Sequence, residues 1–421
     1  MSRRDLRLFY LFRMLAAVTL WSPIFTFFQE HRGLDFRDRM LLGGLFSFVV
    51  LLVDVPTGAL ADRVGRKVSL QLGALTMMVS CLFAYFFSRD LPSFMVSETL
   101  AALALSLCSG ADSAYLYDLL RRHGVAHEYG HRESIASAWQ QAGAAIASAA
   151  GGLVAYYGNV AAPYLATAGI SIIAFAVASL LHEDKPLTVS MRIQVVPHAA
   201  MRGWARLMKR SLSELVHNPR LAWLIGYSAV IFTLLRAAQY LYQPYFQSHD
   251  FDYRQIGFIF AGVSVLATII AHHAWRLRRW FGDEPLLWVL LASLAVSFIV
   301  LVPVHGPVIL VLLGVNAAAN GLSSPLVKPL LNNEISDSSR RATILSVENI
   351  ARRGLTGIFI PIAGFTDARV AMYVAGGLGL TGLAVLALHR QHFARGAAAT
   401  AAAAERRSAP RPVAAPPLEH Q

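Results

Sequence analysis

The chain has 421 residues, of which 56% are hydrophobic and 15% are charged, and its formal net charge is +12. Soluble domains carry about 25% charged residues, so this composition excludes an ordinary soluble protein and favours a membrane protein. The Lys and Arg residues are scattered at the edges of apolar stretches rather than gathered into one patch. We therefore expect no nucleic-acid partner.

Apolar stretches long enough to cross a bilayer recur along the chain. A transmembrane helix needs about 20 mostly apolar residues, because its backbone N–H and C=O groups must be hydrogen-bonded within the segment. This criterion predicts an all-α membrane protein. It gives about twelve transmembrane helices, at 8–28, 40–60, 68–87, 93–119, 134–156, 161–181, 221–246, 255–275, 286–302, 307–331, 342–363 and 369–389.

The basic residues predict the orientation. If the N-terminus is cytoplasmic, most Lys and Arg outside the spans fall on the cytoplasmic side, where such residues concentrate in membrane proteins. The loops on the other side then contain only Arg32, Arg37, Arg39, Arg89, Arg254 and Arg369. We expect both termini to be cytoplasmic, with anionic membrane lipid as the partner of the basic edges.

A polar interval at 182–220 divides the chain into two halves, 1–181 and 221–390, with six predicted helices each. Within this interval Met201, Trp204 and Met208 recur at helical spacing among basic residues. This pattern predicts an amphipathic helix on the cytoplasmic leaflet, with a solvated linker helix as the alternative. The segment 391–421 ends in a stretch rich in Ala, Pro and Arg, and we predict a disordered cytoplasmic tail there.

The stretch GALADRVGRK, at 58–67, joins the second and third predicted helices. Its glycines would permit a tight reversal and a close approach of helices. The stretch resembles the G-x-x-x-D-R-x-G-R-K/R signature of the major facilitator superfamily. The matching residues are Gly58, Asp62, Arg63, Gly65, Arg66 and Lys67. The resemblance implies the major facilitator fold, with two six-helix halves that alternate access to a central cavity.

The resemblance also implies roles for individual residues of this loop. It predicts that Asp62 faces the start of the eleventh helix, near Ala342. It further predicts that Arg66 pairs with an acid at the end of the fourth helix, where this chain has Asp118. Alternatively, Asp118 only belongs to a surface charge cluster with Arg121 and Arg122.

Four carboxylates within predicted spans are candidates for proton coupling, because an ionisable group at this depth is costly unless it lines a wet cavity or has a partner. They are Asp54, Asp112, Glu98 and Glu348. The contexts DVPTG at Asp54 and SGADSAYLYD around Asp112 resemble variants found in bacterial drug and metabolite transporters of the superfamily. We predict that Asp54 and Asp112 carry the proton; the alternative is that they only pair with Arg or cap helices.

Polar and basic side chains of the predicted spans are candidates for the substrate cavity: Arg13, Arg236, Gln239, Tyr242, Gln243, Lys328, Asn349 and Arg352. Glu348 and Arg352 are four residues apart and can form an ion pair on one helix face, whereas Arg353 points about 100° away. The spare positive charge favours an anionic or zwitterionic substrate. Alternatively, Arg352 and Arg353 reach the cytoplasmic interface, and the tyrosines near Gln243 form an interfacial aromatic belt.

These features predict a monomeric secondary transporter of a bacterial cytoplasmic membrane. We expect proton-coupled export of a small organic compound such as a drug, metabolite or siderophore. The alternative is proton-coupled import of an organic anion or zwitterion. Ala147 and Ser148 replace the first Gly and Pro of the G-P-x-x-G-G pattern that exporters of the family often carry, which weakens the export assignment.

We expect no enzyme activity, cofactor or metal. The sequence contains no phosphate-binding glycine loop and no credible catalytic triad. His123, His127 and His131 are four residues apart and could bind a metal on one helix. Gly124 and Gly130 interrupt such a helix, so we interpret this segment as a solvated loop.

Overall fold

The computed structural model describes residues 3–183, 218–306, 308–334 and 341–408. Within these ranges the chain forms fourteen α-helices and no strand, so the predicted all-α fold is confirmed. The first half contains α1 (Arg3–Ala17), α2 (Phe25–His31), α3 (Phe36–Val64), α4 (Arg66–Phe87), α5 (Leu91–Cys108), α6 (Ala111–Arg122), α7 (Tyr129–Tyr157) and α8 (Ala162–Leu180). The second half contains α9 (Pro219–Gln247), α10 (Tyr253–Phe281), α11 (Asp283–Leu301), α12 (Val308–Glu334), α13 (Arg341–Ala363) and α14 (Ala368–Ser408).

Two predicted spans are interrupted. The span at 8–28 is divided into α1 and α2, because Pro23 has no N–H and restricts the residue before it. Within this break Leu20 donates its N–H to Thr167 Oγ1 over 3.0 Å. The span at 93–119 is divided into α5 and α6 at Gly110, whose φ of 78° lies outside the right-handed helical region.

Short polar side chains fix where several helices begin. Asp35 accepts the N–H of Asp38 at the start of α3, and Asn218 accepts that of Leu221 at the start of α9. Asp90, which lies between α4 and α5, accepts hydrogen bonds from the hydroxyl and the backbone N–H of Ser93. These bonds favour the ionised carboxylate, so they lower the pKa of Asp90 below its ordinary value. Such caps satisfy N–H groups that have no partner within the helix.

Among the described residues, eight helical segments, one of them α5 and α6 taken together, are long and apolar enough to cross a bilayer. Helix α3 bends by 46° before Pro56 and would be a ninth if its two parts form one span. The remaining long helices, α7 and α13, contain more charged and polar residues, such as Glu133 and Arg352. The chain is therefore a multi-pass membrane protein, while the count of twelve spans and the orientation of the termini stay predictions.

The two halves meet mainly along two helix pairs, α3 with α13 and α7 with α10, and to a smaller extent between α2 and α9. At both places a glycine allows close contact. A Cβ on Gly44 would lie 2.1 Å from Pro361 Cγ, and a Cβ on Gly152 would lie 2.7 Å from Gly257 Cα. Both glycines lie at the end of their helix that is far from the turn at Gly65. We call the end with Gly65 the motif end; the halves are packed together at the opposite end.

Two segments outside the spans carry predictions, the amphipathic helix in the middle interval and the C-terminal tail. The amphipathic helix around Trp204 lies outside the described residues. The tail prediction is corrected in part, because α14 continues from Ala368 to Ser408 and 391–408 is therefore helical. The run AAATAAAA explains this extension, since Ala has the highest intrinsic helix propensity.

Candidate functional site

The GALADRVGRK turn joins α3 to α4 at one residue, Gly65. Its φ of 102° lies in the left-handed region, which explains the glycine. Gly58 is different, because a Cβ at this position would have no atom within 4 Å. The expected close helix approach at Gly58 is therefore wrong in this structure.

Arg66 lies between two acids of this turn. Its Nη2 is 2.9 Å from Asp62 Oδ1, and its Nε is 3.4 Å from Asp118 Oδ2 at the end of α6. The structure thus brings Arg66 and Asp118 together. The predicted contact of Asp62 with the start of the eleventh helix falls near Ala342, whose side chain lies outside the described residues. The roles of Arg63 and Lys67 in conformational change stay predictions.

Glu183, just after α8, binds the same turn from outside the motif. Its carboxylate accepts the backbone N–H of Arg66 at 2.7 Å and that of Lys67 at 2.9 Å. It also occupies the space beside Gly65, where a Cβ would lie 2.8 Å from Glu183 Oε2. The negative charge lies at the positive N-terminal end of α4, where the helix dipole stabilises it.

Arg13 of α1 contacts two carboxylates in the first half. It forms an ion pair with Asp112, and its Nη2 is 3.4 Å from Glu133 Oε1. Asp112 also accepts the N–H of Ser113 at 2.6 Å, and the Ser113 hydroxyl donates to Glu133 over 3.3 Å. One buried guanidinium is therefore shared by two acids, and only the Asp112 partner was among the sequence candidates.

This group lines a cavity of about 420 Å³. Arg13, Asp112 and Glu133 form part of its wall, together with Cys108, and Lys328 reaches it from the second half. Lys328 therefore lines the same cavity as the acids of the first half and Arg13. The cavity gives Asp112 and Glu133 a path to water, which a carboxylate needs if it is to exchange a proton.

Asp54 of α3 connects the two halves. Its Oδ2 accepts a hydrogen bond of 3.0 Å from Asn349 Nδ2 of α13, and its Oδ1 is buried without a hydrogen-bond partner among the described residues. The structure therefore brings the sequence candidates Asp54 and Asn349 together. A carboxylate with one unsatisfied oxygen is costly while it is ionised.

Glu348 of α13 is only 6% exposed and has two partners. Ser228 donates to its Oε1 over 2.5 Å, and Arg352 Nη1 lies 3.2 Å from the same atom. The ion pair on one helix face, expected from the spacing of four residues, is present.

Arg236 is one turn before Tyr240 on α9, and its Nη1 donates to Gln239 Oε1 over 2.7 Å.

Glu98 of α5 lies toward the end opposite the motif. Gln29 Nε2 of α2 donates to Glu98 Oε1 over 3.1 Å. Gln29 itself is 1% exposed, and its Oε1 is buried without a partner in the described part of the chain. Glu98 is thus separated from the cavity that contains Asp112.

Two substrate-cavity candidates lie in packed positions. Tyr242 is buried against Phe298, at 5.6 Å between ring centroids, in the core of the second half. Gln243 is also buried, and its Oε1 accepts the hydroxyl of Thr26 over 2.7 Å while its Nε2 donates to the carbonyl of Ser22. Here Tyr242 is a packing residue, and Gln243 holds α9 against the first predicted span.

Sequence reasoning missed Glu133 and Glu183. Glu133 stands one residue before the fifth predicted span, so it was assigned to the loop, although α7 begins at Tyr129. A predicted span that began one residue earlier would have included it. Glu183 carried no signal, because its partners are backbone groups of a distant turn. For the histidines, no group of three metal-binding side chains occurs among the residues that the structure describes.

The chain is similar in sequence to known membrane proteins. The chain is 20% identical over 407 residues to the quinolone resistance protein NorA of Staphylococcus aureus, covering 92% of this chain and 96% of that protein. It is 22% identical over 284 residues to YxaM, an uncharacterized MFS-type transporter of Bacillus subtilis, covering 66% of this chain and 68% of that protein.

Solved structures give the same fold. The nucleoside transporter NupG has a TM-score of 0.71 at 14% identity, covering 92% of this chain and 99% of that one. The peptide transporter POT in complex with sulfate has a TM-score of 0.71 at 14% identity, covering 93% of this chain and 95% of that one. The model of the Major Facilitator Superfamily matches residues 8–361, and the chain belongs to this superfamily of membrane transporters.

Proposed function

We propose that the chain is a proton-coupled exporter of a small organic compound, working as a monomer in a bacterial cytoplasmic membrane. The observation that carries the proposal is Arg13, shared by Asp112 and Glu133 in the wall of a cavity. Protonation of Asp112 would release Arg13 to Glu133, and deprotonation would reverse this. A proton is thereby converted into a change of contacts between α1, α6 and α7.

The packing of the two halves supports a proposal for the side of the membrane from which substrate enters the cavity. They are close at Gly44 and at Gly152. In contrast, Arg13 and Asp112 lie in the parts of the predicted spans 8–28 and 93–119 that are nearer to the motif end, and Glu133 lies near the start of α7 at that end. If the motif end is cytoplasmic, as the basic residues predict, the cavity is filled from the cytoplasm. This is the state in which an exporter takes up its substrate, and the similarity to NorA, a resistance protein, agrees with export.

A second candidate is proton-coupled import of an organic anion or zwitterion through the same fold. It is favoured by the basic residues Arg236, Lys328 and Arg352 of the second half. The two candidates share alternating access and differ in direction.

The experiment uses everted membrane vesicles that contain the full chain, energised to an acidic interior. The probes are a panel of quinolones, nucleosides and short peptides, and release of protons is followed with a pH-sensitive dye. We expect at least one compound to be accumulated and to release protons, and we expect Asp112→Asn to abolish both at equal protein level. Accumulation that survives collapse of the proton gradient, or a fully active Asp112→Asn variant, would contradict the proposal.

A further inference from the structure

Three arginine side chains of the second half surround one phenyl ring. The guanidinium carbons of Arg352, Arg353 and Arg236 lie 4.2, 5.3 and 5.4 Å from the ring centroid of Phe232. The ring face attracts each cation, but the three like charges repel one another at this spacing. A cluster of this kind within a membrane helix bundle needs anions to balance it.

The nearby carboxylates balance the cluster only in part. Glu348 pairs with Arg352 at 3.2 Å. Asp54 lies near enough to Arg353 to interact electrostatically, while its hydrogen bond comes from Asn349. Among the residues that the structure describes, three positive charges therefore face two negative charges at this place, and one positive charge has no counterpart.

Hydrogen bonding points to the same deficit. The Nε atoms of Arg352 and Arg353 are buried and have no acceptor within the described part of the chain. A buried donor without an acceptor is unfavourable, because it has lost its hydrogen bonds to water. A negatively charged group with several acceptor oxygens would supply both the missing charge and the missing acceptors.

We propose that Arg236, Arg352 and Arg353 around Phe232 bind an oxyanion group of the transported compound, which is thus an organic carboxylate or phosphate. Guanidinium groups offer paired N–H donors that match the geometry of both groups. Tyr240, one turn after Arg236, packs edge-on against Phe25 at 5.1 Å and supplies an apolar wall for the rest of the compound. The proposal rests on the transport function above and holds for export and import alike.

The test measures binding to the purified full chain in detergent, without any proton gradient. The probes are 2-naphthoate, 2-naphthyl phosphate, the neutral 2-naphthamide and the cationic 2-naphthylmethylammonium, titrated by intrinsic tryptophan fluorescence. We expect at least one of the two anions to bind more tightly than the amide and the cation. Arg353→Gln and Arg236→Gln should weaken anion binding by about tenfold or more, because each removes charge-assisted hydrogen bonds. Arg353→Lys should retain part of the affinity.

Arg89→Gln is the matched control, because it removes the same charge from an exposed position between α4 and α5. It should bind the anions like the parent chain. Equal anion binding by Arg353→Gln, Arg236→Gln and the parent would overturn the proposal, as would a preference for the amide or the cation. Because no transport is measured, anion binding by a chain that fails the vesicle experiment would refute the proposed export and leave this site intact.

Discussion

The carboxylate of Glu183 accepts the backbone N–H of Arg66 over 2.7 Å, although the two residues are far apart in the chain. The same carboxylate accepts the N–H of Lys67 over 2.9 Å. Glu183 therefore caps α4 from the segment after α8, in place of the residue before the helix, which is Gly65 and has no side chain. The motif turn is thus bound by the segment that follows the last helix of the first half.

Glu183→Ala should destabilise the protein by about 0.5–2 kcal/mol, because it removes the cap and the charge at the helix dipole. Glu183→Gln should destabilise the protein less than Glu183→Ala, since the amide oxygen can still accept one N–H but carries no charge. The measurement is the midpoint of thermal unfolding in detergent, followed by tryptophan fluorescence.

Glu128→Ala is a suitable control for this change. Glu128 pairs with Arg132 four residues later, at 2.7 Å, in a partly exposed position. A pair of this type contributes about 0.3–0.5 kcal/mol. If Glu183→Ala shifted the midpoint no more than Glu128→Ala does, Glu183 would not act as a cap.

Arg13→Gln should destabilise the chain by about 3 kcal/mol, because breaking a buried pair leaves its partner uncompensated. Here two acids, Asp112 and Glu133, would lose their shared cation. The double variant Arg13→Gln, Asp112→Asn should recover part of the loss, since it removes one of the two carboxylate charges that are left without a cation. Thermal unfolding of Arg13→Gln, Asp112→Asn, the double variant and the parent gives the coupling free energy between Arg13 and Asp112. Additive effects of the two changes would show that Arg13 and Asp112 do not interact.

Much of the fold could be predicted from the sequence, because a membrane span is set by a physical length and by the absence of charge. The helix borders at Pro23 and Gly110 could not be placed in this way, because an apolar window continues across a proline or a glycine. Local pairs were also predictable. The spacing of Glu348 and Arg352 places them on one helix face, and the two side chains carry opposite charges.

Contacts between distant segments could not be predicted. Nothing in the sequence around Glu183 indicates that its partners are the N–H groups of Arg66 and Lys67. The orientation of side chains on α9 is a second case. Gln239 is exposed and Tyr242 is buried, because α9 packs against several helices whose positions no single-sequence pattern contains.

Gly152 of α7 faces Gly257 of α10 at the end opposite the motif. A Cβ on Gly152 would lie 2.4 Å from the carbonyl oxygen of Tyr253, so a larger side chain requires the helices to separate. Cys108 lines the cavity nearer the motif end, whereas Cys81 is buried in the core. The reactivity of Cys108 with a maleimide therefore reports whether that cavity is open.

Gly152→Leu should slow maleimide labelling of Cys108, measured by mass spectrometry in a Cys81→Ser background. Overpacking costs about 1–3 kcal/mol in the state where the halves touch at Gly152, so that state should become at least about fivefold less populated. Gly262→Leu adds the same side chain to α10 at a position where a Cβ has no atom within 4 Å, and it should label like the parent. Equal labelling rates for Gly152→Leu and Gly262→Leu, with both variants monodisperse in gel filtration, would show that closure at Gly152 and opening at Cys108 are not coupled.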